Sequence, residues 1–319
     1  MLSFTQILNQ IRSEAHSEKE KGARFERLMQ AFLKTYPLYA SIFEEVWLWN
    51  EFPYRKNLGG HDLGIDIVCK TLGGEYWAVQ CKCYSEDTQI DKSEVDSFIA
   101  TSSRTFGVDD GVQGRFSQRL WISSTNNWNA NAEETIKNQE PPVIRLNLSE
   151  LKSAEVDWEK LSYGLFGADY QSPRFTLREH QKKALKNAHA YYRDHDRGKL
   201  IMACGTGKTF TALRIVEQET ENSGLVLYLV PSIALLGQTL RFWFDQAQKP
   251  MAAVCVCSDA GVSQGVRGKR IRNDEEYDRK DNVVDLAYPA TTFTPTIVSH
   301  LKAIHANKKT GLTVVFSTY

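Results

Sequence analysis

The sequence predicts an α/β protein built as two domains. Its 319 residues are enough to bury two separate cores. Helical and strand-like segments are mixed irregularly up to about residue 165, and from about residue 175 they alternate regularly, as in a parallel sheet. The charge divides at the same place: residues 1–170 carry 18 Lys/Arg against 25 Asp/Glu, and residues 171–319 carry 21 against 14. A net charge of zero therefore hides an acidic half and a basic half, the second more inviting to a polyanion.

Phe4, Ile7, Leu8 and Ile11 recur at helical spacing, and Phe25, Leu28, Met29, Phe32 and Leu33 form a stronger apolar stripe that ends before Pro37. Residues 65–69 and 76–84 read as strands joined by the turn Leu72-Gly73-Gly74-Glu75. A helix over 90–105, a strand at 120–123, a helix over 129–138 and a strand at 143–146 complete a compact α/β domain over residues 1–165. Residues 166–174 read as a linker. The second domain, 175–319, is expected to contain a helix at 178–192, a short apolar strand before residue 202, a strand at 225–230 and a helix at 233–246. A strand at 251–257, an exposed loop over 260–282, a helix near 295–306 and a strand at 312–316 follow.

The hydrophobic fraction of 42% is ordinary for a globular protein, and no stretch approaches the ~18 apolar residues that span a bilayer. The polar, charged N-terminal segment does not read as a secretory signal, so a cytoplasmic protein without a membrane partner is expected. None of the six cysteines has zinc-site spacing; the pairs Cys81/Cys83 and Cys255/Cys257 would each line one face of a strand as reduced, buried thiols.

Residues 202–209 read Met-Ala-Cys-Gly-Thr-Gly-Lys-Thr. A glycine-rich turn ahead of a helix offers backbone N–H groups and a helix N-terminus to phosphate oxygens. Gly205, Thr206 and Gly207 would form the cradle, Lys208 would neutralise the β/γ-phosphates of ATP, and Thr209 would place its hydroxyl on Mg²⁺. Met202 stands where the general pattern has glycine, and in this the loop resembles that of helicase superfamily 2. FTLREHQKKAL lies where that family carries an adenine-reading glutamine, here Gln181. LVPSIALLGQTLRFW, with Pro231, Ser232 and Gln238, resembles the motif that touches the nucleic-acid backbone, and VVFSTY at 314–319 resembles the strand leading to the next motif. The resemblance implies a RecA-like ATPase domain whose acidic DExH motif should follow, so the chain reads as the N-terminal part of a longer protein. Two acidic stretches, 274–277 and Val283-Val284-Asp285, lack the strand context of that motif and read as surface.

In the first domain the pattern is GGHDLGIDIVCK followed by VQCKC. If 76–84 is a strand, Gln80 and Lys82 share one face while Trp77, Val79 and Cys81 share the other, and Asp66 enters the neighbouring strand. Metal-assisted phosphodiester hydrolysis needs oxygen ligands for Mg²⁺ and a cation near the developing charge. The pattern resembles the PD-(D/E)XK nucleases, in particular their Mrr-like branch. By that resemblance Asp66 is the principal metal ligand, Gln80 stands where others carry a carboxylate, Lys82 is the catalytic lysine, and the Cys81 carbonyl is a further ligand. Glu26 matches the first-helix glutamate of such folds; His61 and Asp62 flank the site without a role.

A restriction-endonuclease-like mixed-sheet domain followed by a RecA-like parallel-sheet P-loop domain resembles the start of the single-polypeptide Type ISP restriction–modification enzymes. The implied activity is Mg²⁺-dependent DNA cleavage coupled to ATP-driven translocation on double-stranded DNA. The partners implied are further motor, methyltransferase and target-recognition domains of the same polypeptide. The neutral Gln80 leaves open a non-cleaving DNA-binding module on a superfamily 2 helicase acting in repair or defence.

Overall fold

The computed structural model describes residues 2–59, 64–108, 111–221, 224–258, 282–306 and 311–319; His61, Asp62 and the acidic stretch 274–277 lie outside them. The backbone divides into two units, Met1–Gln171 with Ser258–Ala290, and Ser172–Cys257 with Thr291–Tyr319. Part of the sequence that runs inside the second domain, 258–290, thus groups with the first.

The first unit opens with helix α1 (Phe4–Glu14), whose start is fixed by a reciprocal cap: the Ser3 hydroxyl accepts from the Gln6 N–H and the Gln6 side chain accepts from the Ser3 N–H. Helix α2 (Glu18–Thr35), capped by Ser17, buries the predicted stripe of Phe25, Leu28, Met29, Phe32 and Leu33. A short turn of helix, α3 (Pro37–Ala40), leads into strand β1 (Phe43–Leu48). This strand was not expected, because a bulge between Phe43 and Glu45 breaks the alternation that marks a strand in sequence. Strands β2 (Ile67–Thr71) and β3 (Tyr76–Lys82) form the predicted hairpin, with Gly74 at φ +83° closing its turn.

Helix α4 (Lys92–Ser102), strand β4 (Thr105–Gly107), strand β5 (Gln113–Ser123), helix α5 (Ala130–Thr135) and strand β6 (Val143–Leu146) follow, then helices α6 (Leu148–Ser153) and α7 (Trp158–Ser162). β5 is much longer than its expected core at 120–123, because its first half carries Arg115, Gln118 and Arg119. Arg119 is fully buried and is held by the Ser102 hydroxyl at 2.6 Å, the Ser103 hydroxyl at 2.7 Å and the Pro141 carbonyl. Those partners offset what burial costs a guanidinium, and burial still draws its pKa down.

The sheet runs β1-β2-β3-β5-β4, with β6 also on β5; β3, β5 and β6 are mutually parallel and the rest antiparallel. One face packs on α1, α2 and α7 through Phe32, which stacks on Trp158 at 5.1 Å, and through Phe43 edge-on to Trp77 at 4.9 Å. The other face packs on α4 and α5 through Val68, Ala78, Phe98, Trp121, Trp128 and Ala132.

In the second unit, helices α8 (Glu179–Tyr192) and α9 (Lys208–Glu219) precede strand β7 (Gly224–Val230), helix α10 (Ile233–Gln246), strand β8 (Met251–Val256), helix α11 (Thr294–Ala306) and strand β9 (Leu312–Thr318). The strands form a parallel sheet in the order β7-β9-β8, and Trp243 of α10 packs on Tyr228 and Phe316 at 4.7 and 5.5 Å. The strand expected before residue 202 is not formed. Residues 199–203 make no ladder with the described strands, and Ile201 is 91% exposed. A short apolar run becomes a strand only by pairing, and no partner lies beside this one among the described residues. No described helix is long and apolar enough to cross a membrane.

All six cysteines are free thiols; five are buried as expected, but Cys204 is exposed in the glycine-rich loop. Burial pushes the thiols of Cys69, Cys81, Cys83 and Cys255 upward. Their thiolates are therefore scarce at pH 8, and Cys204 should be the one described cysteine that reacts promptly with a disulfide reagent, all six reacting in urea. Truncating Phe32, which is fully buried, should cost about 3–5 kcal/mol in urea denaturation of the first unit's transition, against about 0.5 or less for Leu72→Ala on the exposed turn.

Candidate active site and phosphate loop

Asp66 sits one residue before β2 and is fixed by its backbone: its N–H donates to the Val79 carbonyl at 2.9 Å, and its carbonyl accepts from the Trp49 N–H at 2.7 Å. The β2–β3 ladder ends at Ile67 opposite Val79, so the Cys81 N–H lies past the point where β2 could receive it. The Asp66 carboxylate takes that place. Its Oδ2 accepts from the Cys81 N–H at 2.6 Å and from the Gln80 side-chain amide at 2.5 Å.

Gln80 is buried, and its Oε1 lies close to where a Cβ on Gly64 would stand, 3.3 Å away. Gly64 is at φ +79°, so a side chain there would be strained as well as crowded. Gln80 and Lys82 alternate with Val79 and Cys81 along β3, as expected. Glu26 reaches the same place from α2. The Cys81 thiol registers the convergence: burial raises its pKa first, then the carboxylates of Asp66 and Glu26, while Lys82 opposes them. Asp66, Gln80 and Cys81 are thus joined by hydrogen bonds, with Glu26 and Lys82 near enough to bear on the Cys81 thiol. Among the described residues no three His, Cys, Asp or Glu side chains cluster tightly enough to hold a metal by themselves. The donor set is instead carboxylate, amide and backbone oxygen, which suits a hard cation.

One contributor escaped the sequence. Arg12 of α1 donates to the Tyr84 carbonyl, and the Ser124 hydroxyl donates to the same carbonyl at 2.7 Å. These bonds hold the chain just beyond Lys82. Arg12 reads as an ordinary helix-surface cation because its partner is 72 residues away.

In the second unit, Gly205 and Gly207 adopt φ +75° and +81°, and α9 begins at Lys208 with Gly207 as its N-cap. Gln181, 4% exposed, donates its amide to the Thr206 carbonyl at 3.1 Å and accepts from the Arg178 N–H at 2.9 Å. The His180 ring nitrogen lies 3.0 Å from the same carbonyl. One end of the Gln181 amide thus serves the loop, and the other caps the start of its own helix α8. A Cβ on Gly207 would overlap the Gln181 amide nitrogen, so this glycine is required by contact as well as by φ. Lys208 is exposed with its ammonium 3.4 Å from the Ala203 carbonyl, and the Trp243 indole N–H anchors the Thr209 carbonyl at 3.1 Å. Ser232 caps α10, while Pro231 and Gln238 lie on the unit's surface.

Residues 34–165 match the family model of a restriction endonuclease, and residues 174–310 match that of the Type III restriction enzyme res subunit. No curated protein matches the chain. Among solved structures, the ATP-dependent Type ISP restriction–modification enzyme LlaBIII bound to DNA matches over 100% of this chain at 30% identity and a TM-score of 0.75, this chain covering 18% of it. A nuclease-deletion mutant of the Type ISP enzyme LlaGI, in complex with a DNA substrate mimic, matches 46% of this chain at 39% identity with a TM-score of 0.36, 13% of that enzyme being covered. The chain thus spans about a fifth of the length of the larger enzyme it matches throughout. It joins a segment that matches a restriction endonuclease to one that matches the res subunit of a Type III restriction enzyme, and along its whole length it is similar to part of a Type ISP restriction–modification enzyme.

Proposed function

We propose that this chain is the cleavage and ATP-binding part of a restriction–modification enzyme, cutting DNA with Mg²⁺ under the control of an ATP-driven motor on double-stranded DNA. The observation that carries the reading is the convergence of Asp66, Gln80, Cys81, Glu26 and Lys82 at the end of the β2–β3 hairpin. Its likeness along its whole length to a DNA-bound Type ISP enzyme supports the partner.

Asp66 Oδ2, the Gln80 amide oxygen after rotation of its amide plane, and the Cys81 carbonyl would hold the metal, with Glu26 beside them. When bound, Mg²⁺ would polarise the scissile phosphate and lower the pKa of water. The protein's own contribution is positional. Asp66 is locked by two backbone bonds, so its carboxylate needs no reorganisation. Lys82 sets an ammonium beside the phosphate, where negative charge develops as the bond to the leaving oxygen breaks. In the second unit, Gly205, Thr206 and Gly207 present N–H groups to the phosphates of ATP. Lys208 neutralises the β/γ-phosphates, Thr209 offers its hydroxyl to Mg²⁺, and Gln181 keeps the loop open for them while lying where adenine would be read. The remaining motor, methyltransferase and target-recognition functions would reside on the same polypeptide, in the cytoplasm.

In the complete protein, Asp66→Ala should reduce plasmid cleavage by more than the roughly 10–100-fold that loss of an outer partner costs, with DNA-stimulated ATP turnover unchanged. Lys208→Ala should abolish ATP turnover and, with it, ATP-dependent cleavage. Normal cutting by Asp66→Ala would refute the site, and a wild type that binds DNA yet nicks nothing with Mg²⁺ or Mn²⁺ would make the first domain a non-cleaving binding module. Gly207→Ala, which pays about 1–2 kcal/mol for left-handed backbone and also displaces Gln181, should lower ATP affinity about tenfold or more in a fluorescent-nucleotide titration.

A further inference from the structure

The stretch Val283-Val284-Asp285, expected on the surface, is docked. Val284, Leu286, Ala287 and Tyr288 are buried against the first unit, the Asn282 side chain accepts from the Val284 N–H at 3.0 Å, and the Tyr39 hydroxyl donates to the Ala287 carbonyl at 2.7 Å. Asp285 accepts from Arg145 Nε at 2.5 Å. Arg145 lies on β6 with its side chain 8% exposed; it also donates to Glu133 at 2.7 Å and lies over the Trp128 ring at 4.9 Å. A guanidinium this buried needs its counter-charges, and one of them comes from 140 residues further along. The docked segment is a strap: it belongs to the first unit, although β8 precedes it and α11 follows it in the sequence. The Thr291 N–H already bonds the Cys255 carbonyl of β8 at 3.1 Å.

The register of the first sheet gives the strap its significance. Arg145 stands opposite Trp121, and Trp121 opposite Gln80. Directly opposed residues share a face, so these three form one lateral row across β6, β5 and β3, ending at the Gln80 amide on the Asp66 carboxylate. Trp121 is fully buried, edge-on to Phe98 at 5.8 Å and tilted on Trp128 at 5.6 Å, which in turn carries Arg145. Packing at this density transmits displacement instead of absorbing it.

We infer that Arg145 and Asp285 are a positioning pair for cleavage, through which the docked segment 282–290 sets the row that aims Gln80 at Asp66. The inference rests on the nuclease reading above. Neither residue touches the reacting atoms; the pair acts by fixing where the far end of the row stands.

The test uses the complete protein, with Asp285→Asn, which keeps size and removes charge at a position 41% exposed, and Tyr39→Phe, which deletes the strap's second anchor. Plasmid cleavage with ATP is measured across a series of Mg²⁺ and Mn²⁺ concentrations, together with DNA-stimulated ATP turnover and the melting temperature. The expected result is a roughly tenfold loss of ATP-dependent cleavage in Asp285→Asn. The divalent-ion concentration for half-maximal cutting should rise, ATP turnover and melting should be unchanged, and Tyr39→Phe should deepen the loss in the double variant. A wild type that cuts and variants that cut identically, with the same metal dependence, overturn the inference alone. Cleavage, ATP turnover and melting that fall together with unchanged metal dependence also overturn it, since the strap would then be merely structural. A wild type that cuts no DNA overturns the nuclease reading and this inference with it.

Discussion

The first unit depends on how one strand end is satisfied. Where β2 stops, β3 continues, and the Cys81 N–H would face an apolar interior without a partner; a buried donor left so costs about 1–3 kcal/mol. Asp66 supplies the acceptor at 2.6 Å. A carboxylate in that place needs compensation of its own, and the Gln80 amide contributes it as a second donor, while main-chain bonds to Val79 and Trp49 fix the Asp66 backbone. The requirement that closes the ladder also concentrates negative charge at one point, and Lys82 two residues beyond Gln80 is placed to answer it.

The second unit solves a similar problem at the start of α9. Two left-handed glycines turn the chain so that the first N–H groups of the helix face outward, which leaves the Thr206 carbonyl pointing back into the protein. Gln181 and His180 of α8 meet that carbonyl, and the Trp243 indole N–H donates to the Thr209 carbonyl in the first turn of α9. The cradle is thus held from two helices before any phosphate enters. Preformed donors of this kind spend little binding energy on ordering themselves.

Helices were the most legible part of the chain. Each apolar stripe of α1, α2 and α10 became a buried face, because the 3.6-residue period is a local property of sequence. Strands were legible only where alternation was clean. The bulge hid β1, and Arg119 disguised half of β5 because its partners, Ser102, Ser103 and Pro141, come from elsewhere in the chain. The short apolar run before the phosphate loop met the opposite fate, having strand character without a ladder. At the candidate site, spacing set Gln80 beside Asp66, whose carboxylate it does bond, with Lys82 two residues further along β3. Arg12, Arg145 and the strap were invisible, since inter-strand register and a partner 140 residues away leave no local signature.

The neutral amide at position 80 gives these placements a common logic. In the proposed site, an amide where a carboxylate ligand would stand carries one negative charge fewer, which weakens attraction for a divalent cation. A cation held by fewer charges relies more on the geometry of its ligands, because each misplaced oxygen is a larger fraction of the total. Gln80 is restrained on several sides: Gly64 limits it on one, Asp66 holds its amide, and it stands in register with Trp121 and Arg145 across the sheet. A site tuned to be weak and position-sensitive can be kept idle until its supporting row is set. That property suits an endonuclease joined to a motor better than one that cuts on encounter.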